Sequence, residues 1–205
     1  MGRRFVDQRR RDRFYRAAQQ EGLRSRAAFK LGHLANRYPI FHRGDAVLDL
    51  GAAPGGWSLV ARGALGKTGR VVAVDPRDIE PAEGVEVVRG RVGDPRLLAR
   101  IAPLPYDVIL SDMSPRVSGA YSTDHARSVG LVRDAADLAR TALRAGGVFV
   151  AKVFAGDMLE ELMTELRPQF DRVVLTKPPA SRESSSEMYV IGLGFHPRTR
   201  EPAPG

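Results

Sequence analysis

Short apolar blocks recur along the chain from residue 46 onward, separated by segments with helical periodicity. Several blocks are continuously apolar, as in the Val-Ile-Leu run at 108–110. A parallel sheet covered on both faces requires strands of this kind. We therefore predict seven strands, at 46–50, 70–75, 85–89, 106–111, 147–154, 172–176 and 188–195.

Apolar residues spaced three or four positions apart predict five helices. These lie at 23–38, 57–65, 95–101, 125–143 and 156–166. Alternating strands and helices predict right-handed crossovers and a doubly wound α/β sheet. Only a Pro/Ser-rich loop at 177–187 joins the last two strands. A loop without a crossover helix favours an antiparallel pair, so we expect a mostly parallel sheet with an antiparallel last strand.

The composition is that of a globular domain, with 205 residues, 43% hydrophobic and 27% charged. No apolar run approaches the ~20 residues that cross a bilayer, so we expect no membrane segment. The first residues are charged and lack an apolar signal core, which predicts a cytoplasmic protein. The absence of cysteine excludes disulfides, thiolate zinc sites and cysteine nucleophiles. The four histidines show no ligand spacing, so we expect no catalytic metal.

The positive charge is concentrated at one end of the chain. Residues 1–45 carry 12 basic and 4 acidic side chains, which accounts for the whole net charge of +8. Such polarity is typical of polyanion binding, with nucleic acid as the usual partner. We expect a basic N-terminal arm at 1–22, a single domain at 23–195 and a flexible tail at 196–205.

A glycine-rich turn follows the first predicted strand, where a doubly wound sheet binds its ligands. Gly51, Gly55 and Gly56 allow the backbone to approach a ligand closely. The dinucleotide pattern G-x-G-x-x-G is absent, because Ala53 stands at its second glycine. Asp75 ends the second predicted strand, where an acid can hold both hydroxyls of a ribose. The spacing favours S-adenosylmethionine, while a nicotinamide dinucleotide and a purely structural turn remain alternatives.

Five segments together resemble the RrmJ/FtsJ family of RNA ribose 2′-O-methyltransferases. They are GLRSRAAFKL at 22–31, DLGAAPGGWS at 49–58, SDMSP at 111–115, AKVF at 151–154 and SEMY at 186–189. The resemblance implies a Rossmann-like, S-adenosylmethionine-dependent methyltransferase fold. It also implies a catalytic tetrad, which falls on Lys30, Asp112, Lys152 and Glu187. Bacterial members of the family methylate a uridine in the aminoacyl-site loop of large-subunit ribosomal RNA, and relatives modify tRNA or mRNA caps.

The chemistry of methyl transfer to a ribose hydroxyl suits these residue types. The site must align the reacting atoms, lower the pKa of the hydroxyl and take up its proton. A lysine can take up the proton if its own pKa falls toward neutrality, whereas arginine stays protonated. Only four of the 32 basic residues are lysines, and two of them, Lys30 and Lys152, fall in the tetrad.

We assign Lys152 as the general base, either entering neutral or orienting the oxygen as an ammonium. Asp112 and Glu187 would hold the two amines in place. Lys30 would position the ribose or tune Lys152.

The resemblance also implies cofactor contacts at Gly55, Trp57 and Asp75, with Asp112 beside the transferred methyl. One position departs from the family, which usually has Gly-Asp after the third strand to bind adenine. Here the pair is Gly90-Arg91, and arginine cannot accept a hydrogen bond from the adenine amino group. Either Asp94, three residues on, or a backbone carbonyl then accepts from the adenine, and we predict Asp94.

The leading hypothesis is a monomeric rRNA uridine 2′-O-methyltransferase. A tRNA methyltransferase, a non-catalytic RNA-binding assembly factor and a small-molecule O-methyltransferase remain alternatives. Phosphate contacts are predicted on the basic N-terminal side, continuous with Lys30. The candidates are Arg9, Arg10, Arg11, Arg13, Arg16, Arg24 and Arg26.

Overall fold

Seven strands form one central sheet in the computed structural model of the chain, which describes residues 26–178 and 186–197. The strands are β1 (Ala46–Leu50), β2 (Arg70–Asp75), β3 (Val85–Arg89), β4 (Tyr106–Ser111), β5 (Leu143–Phe154), β6 (Phe170–Thr176) and β7 (Glu187–Phe195). Their order is β3-β2-β1-β4-β5-β7-β6. Strands β1 to β5 pair in parallel, while β7 runs antiparallel to both β5 and β6. The predicted doubly wound sheet with an antiparallel last strand is confirmed.

Five α-helices accompany the sheet in the described residues. They are α1 (Arg26–Arg37), α2 (Gly56–Leu65), α3 (Leu97–Arg100), α4 (Tyr121–Ala142) and α5 (Leu159–Leu166), and a 3₁₀ turn (Arg167–Gln169) follows α5. None of these helices is both long enough and apolar enough to cross a membrane. The longest, α4, exposes Arg127, Asp134, Asp137 and Arg140 and buries Asp124.

Several element boundaries differ from the sequence prediction by more than one residue: α3 begins at Leu97 rather than 95, α4 at Tyr121 rather than 125, and β6 at Phe170 rather than 172. For two further elements the structure gives the reason. Strand β5 begins at Leu143, which was predicted to end a helix, because Leu143 pairs with Tyr106 ahead of a register shift in the β4–β5 ladder. Helix α5 begins at Leu159 rather than 156. A Cβ atom at Gly156 would lie 2.4 Å from the ring of His125, so the chain first passes closely over that ring.

The core forms two layers, one on each face of the sheet, because neighbouring strand residues point to opposite sides. Helices α4 and α5 cover one face, where Leu48 and Phe149 are buried. Helices α1 and α2 cover the other, where Val47, Val150 and Trp57 are buried.

Strand parity determines which face carries the functional side chains. Val148 and Val150 face the α1–α2 layer, so Lys152 lies on the same face at the carboxyl end of β5. Lys152 is directly opposite Tyr189 on β7, and Tyr189 is also buried in this layer. The chain changes direction between β1 and β4, so this edge is the switch point where such sheets bind ligands.

The predicted basic arm lies outside the described residues. So do six of the seven arginines predicted to contact RNA, while Arg26 is the first residue of α1. The predicted tail also lies outside them, except for residues 196 and 197. These domain boundaries and RNA contacts stay predictions.

Candidate active site

Two lysine–carboxylate pairs meet at the carboxyl edge of the sheet. Lys152 Nζ lies 3.0 Å from Asp112 Oδ1 and donates a hydrogen bond of 2.8 Å to the main-chain oxygen of Asp112. Lys30 Nζ on α1 is paired with Glu187 Oε2 at the start of β7. The fold thus brings together all four residues of the predicted tetrad.

Each member of these pairs is positioned by a regular element. Asp112 directly follows β4, and its N–H donates to the main-chain oxygen of Leu50 on β1. The end of β5 is anchored to α4: Phe154 N donates to Ser128 Oγ, and Phe154 O is 2.9 Å from His125 Nδ1. Lys152 therefore projects from a strand end that is held against α4 by two hydrogen bonds.

The Lys152–Asp112 pair is largely buried, so each of its charges needs the other for stabilisation. The Lys152 side chain is 7% exposed, and a charge so far from water requires a partner. Burial raises the pKa of Asp112, and the positive charge of Lys152 opposes that rise. The charges of Glu187 and Lys30 also act on Asp112, so the two pairs form one electrostatic unit.

The glycine turn between β1 and α2 is packed directly against the segment that follows β4. Gly51 has a φ of +72°, and a Cβ there would lie 2.7 Å from Met113 Cγ. The N–H groups of Gly51 and Ala52 donate to the main-chain oxygen of Val74. The turn leads into α2, whose first N–H groups have no partner within the helix and favour an anionic group.

Asp75 lies beside this turn with its carboxylate fully engaged. Oδ1 accepts hydrogen bonds from the main-chain N and Nε of Arg77, at 2.8 and 3.0 Å. Oδ2 accepts from the main-chain N of Ala53 at 3.1 Å and from Nη2 of Arg77 at 3.2 Å. Burial alone would raise the pKa of Asp75, but these hydrogen bonds lower it below its ordinary value.

A buried carboxylate, a glycine turn and a helix N-terminus without a side-chain cap fit a nucleoside cofactor that also carries a carboxylate. The described residues contain no cluster of three or more metal-binding side chains. Comparison with known proteins identifies the group to which this site belongs. Residues 23–195 match the model of the FtsJ-like methyltransferases. The chain belongs to this family.

Relatives of this FtsJ-like chain are similar over nearly its whole length. It is 44% identical over 200 residues to a protein of Methanothermobacter thermautotrophicus named ribosomal RNA large subunit methyltransferase E, covering 95% of each chain. Among solved structures, it resembles one from Plasmodium falciparum described as a ribosomal RNA methyltransferase. That match has 26% identity and a TM-score of 0.75, and covers 84% of this chain and 98% of the other.

Fibrillarin from Aeropyrum pernix, solved with bound S-adenosylmethionine, shares the fold at 17% identity and a TM-score of 0.54. The match covers 76% of this chain and 69% of fibrillarin. The FtsJ-like assignment and the methyltransferase fold agree with the resemblance seen in the sequence.

Two of the predicted cofactor contacts have additional structural partners. The Trp57 ring is 2% exposed and packs against Tyr189 with ring centroids 5.7 Å apart. Asp94 Oδ1 accepts a hydrogen bond of 2.9 Å from the main-chain N of Arg96, which starts the turn into α3. The roles of Trp57 and Asp94 toward a cofactor stay predictions.

Two buried residues of this FtsJ-like site were not singled out from the sequence. Asp49 on β1 is fully buried and accepts a hydrogen bond of 2.6 Å from Ser58 Oγ, while its Oδ1 has no hydrogen-bond partner among the described residues. Burial raises its pKa to about 7. The second is Tyr189. A carboxylate inside the apolar strand Ala46–Leu50 was the signal for the first, and the position of Tyr189 in the SEMY segment was the signal for the second.

Proposed function

We propose that the chain transfers a methyl group from S-adenosylmethionine to a ribose 2′-hydroxyl of large-subunit ribosomal RNA, with a uridine of the aminoacyl-site loop as the target. The observation that carries this proposal is the buried Lys152–Asp112 pair beside the glycine turn at the switch point. The Lys30–Glu187 pair next to it supports the same chemistry. The names of the relatives support rRNA as the substrate class.

Different residues of the chain would bind different parts of the cofactor. Asp75 would accept from the ribose hydroxyls once the Arg77 guanidinium has moved off its carboxylate, and the backbone at Gly55 would line the cofactor ahead of α2. The positive end of the α2 dipole would favour the carboxylate of the amino-acid part. When bound, S-adenosylmethionine supplies an electrophilic methyl group on a sulfonium centre. Asp112, which follows β4, would lie near the methyl group, and it is paired with Lys152.

Lys152 holds the attacking oxygen. Two of its interactions, with the carboxylate and the main-chain oxygen of Asp112, fix the direction of the amine. An ammonium has three donors, so one remains for the 2′-oxygen. Fixing the oxygen in line with the methyl group removes much of the entropic part of the barrier.

Methyl transfer would form an O–C bond and break the C–S bond of the sulfonium, and the 2′-hydroxyl would have to give up its proton. Lys152 either enters neutral and accepts this proton, or holds the oxygen as an ammonium while water takes the proton. Lys30, held by Glu187, places a second positive charge next to Asp112 and stabilises the developing oxyanion.

The test is methyl transfer from labelled S-adenosylmethionine to protein-free rRNA, large ribosomal subunits and total tRNA. The wild type should label one ribose of large-subunit RNA, mapped by its resistance to alkaline cleavage. Lys152→Ala should abolish labelling, whereas Lys67→Ala, an exposed lysine ahead of β2, should not. Label on tRNA alone would show that the substrate is tRNA and not large-subunit rRNA. No label on any RNA would overturn the proposed function.

Lys152→Arg distinguishes the two proton routes. Arginine keeps the charge but cannot accept the proton at working pH. If lysine is the base, this variant should be as inactive as Lys152→Ala. Residual activity well above that of the alanine variant would favour the ammonium route.

A further inference from the structure

Tyr189 places a buried hydroxyl next to the ion pair that holds the attacking oxygen. It is the direct cross-strand neighbour of Lys152, so both side chains lie on the same face of the sheet. The Tyr189 side chain is completely buried, and its hydroxyl has no hydrogen-bond partner among the described residues.

An acceptor for this hydroxyl lies close by. Asp112 Oδ1 is also buried, and within the described part of the chain it forms an ion pair with Lys152 but no hydrogen bond. Burial first, and then the negative charges of Asp112 and Glu187, raise the pKa of the Tyr189 phenol. The hydroxyl therefore stays protonated and has a proton to donate throughout the working range of pH.

Leaving both groups unsatisfied would be costly, because buried polar atoms are almost always paired. A hydroxyl hydrogen rotates to suit its acceptor, and Asp112 is the carboxylate whose charge acts most strongly on this phenol. A carboxylate that accepts such a bond is held in one orientation and favoured in its ionised form.

The Tyr189 ring also connects this pair to the cofactor side of the site. It packs against Trp57 in the first turn of α2, two residues beyond Gly55. The ring is therefore part of the core, and only the hydroxyl is available for a role in the reaction.

We propose that Tyr189 is a positioning residue: its hydroxyl donates to Asp112 Oδ1 and fixes the carboxylate that orients Lys152. This inference rests on the proposed function, since it assigns Tyr189 a part in the same methyl transfer. In this role Tyr189 acts on the reaction through Asp112.

The decisive variant is Tyr189→Phe, which keeps the ring and removes only the hydroxyl. We expect kcat to fall about tenfold, as for loss of one hydrogen bond to a charged group, with little change in KM for RNA. We also expect the acidic limb of the pH–rate profile to move to higher pH. Loss of a donor to the ionised form raises the pKa of Asp112, so its pair with Lys152 is lost earlier on acidification.

The other charged groups that act on Asp112 are Lys152 on β5, Glu187 on β7, Lys30 on α1 and Asp49 on β1. None of them is altered in this variant. A change in the acidic limb is therefore attributable to the Tyr189 hydroxyl.

The matched control is Tyr106→Phe. Tyr106 is equally buried, but it lies at the opposite end of β4, and its hydroxyl donates to the main-chain oxygen of Ile101. This variant should lose stability without changing kcat or the pH profile. If Tyr189→Phe behaves like Tyr106→Phe, the positioning role is wrong.

A readout independent of activity separates this inference from the proposed function. The pKa of Asp112 can be followed by carboxyl ¹³C NMR, with the resonance assigned by Asp112→Asn. Tyr189→Phe should raise that pKa even if the wild type methylates none of the RNAs offered. An unchanged pKa would overturn the inference, whatever substrate the enzyme uses.

Discussion

Replacing Arg77 with alanine should tighten the binding of S-adenosylmethionine. A carboxylate offers about four acceptor positions, and all four at Asp75 are filled by Arg77 and the main-chain N of Ala53. Two of the four bonds come from the Arg77 guanidinium. If Asp75 holds the ribose hydroxyls, the guanidinium must leave before the cofactor can bind.

The size of the effect follows from the exposure of this ion pair. The Arg77 side chain is 72% exposed, so water screens the attraction and the pair contributes about 0.5–1 kcal/mol. Cofactor binding must replace that contribution in the wild type but not in the variant. The dissociation constant should therefore fall by about two- to fivefold in Arg77→Ala.

Isothermal titration calorimetry with S-adenosylmethionine measures this directly. Arg89→Ala is the matched control, because Arg89 is 71% exposed and pairs with Asp78 instead of Asp75. It removes the same charge from the same end of the sheet without freeing the Asp75 carboxylate. Asp75→Asn should weaken binding strongly in the same assay.

The reasoning is refuted if Arg77→Ala binds no more tightly than Arg89→Ala. Weaker binding would mean that Arg77 itself contacts the cofactor. Unchanged binding by Asp75→Asn would mean that the ribose is held elsewhere.

Three further predictions concern stability and RNA binding. The folded pKa of Asp49, about 7, exceeds its ordinary value of 3.8, so stability should fall as pH rises from about 4 to 7. Asp49→Asn should remove this fall and be more stable at pH 8 by a few kcal/mol in urea unfolding; equal pH dependence in both proteins would contradict this. Gly51→Ala should cost about 2–4 kcal/mol, because it adds contact with Met113 to backbone strain. Gly93→Ala, with a φ of +91° and open space around it, should show the strain alone, and equal losses would rule out the contact. Replacing Arg9, Arg10 and Arg11 by alanine should flatten the slope of log affinity for RNA against log salt by about 2, and an unchanged slope would place the phosphate contacts elsewhere.

Most of the sheet was predictable from the sequence because the signal for each strand lies within a few consecutive residues. Strands β1 to β4 have the predicted bounds, since each is a short block rich in β-branched or apolar residues between polar turns. The start of β5 was not predictable. Leu143 continues the apolar face of a helix by spacing, and only pairing with Tyr106 makes it a strand residue.

The site was predictable only as a set of residue types in order along the chain. The motifs identified Lys30, Asp112, Lys152 and Glu187, but the spacing does not show which lysine pairs with which acid. That pairing requires the antiparallel insertion of β7 beside β5, which brings Glu187 to Lys30 across 157 positions.

Other features of the site depend on desolvation, which is a property of all neighbours together. Three such features depend on which distant segments exclude water. They are the four hydrogen bonds accepted by Asp75, the raised pKa of Asp49 and the buried hydroxyl of Tyr189. Periodicity and motif order are local and can be read along the chain. Burial and charge coupling exist only once the sheet and its helices have assembled, and the tertiary structure decided them.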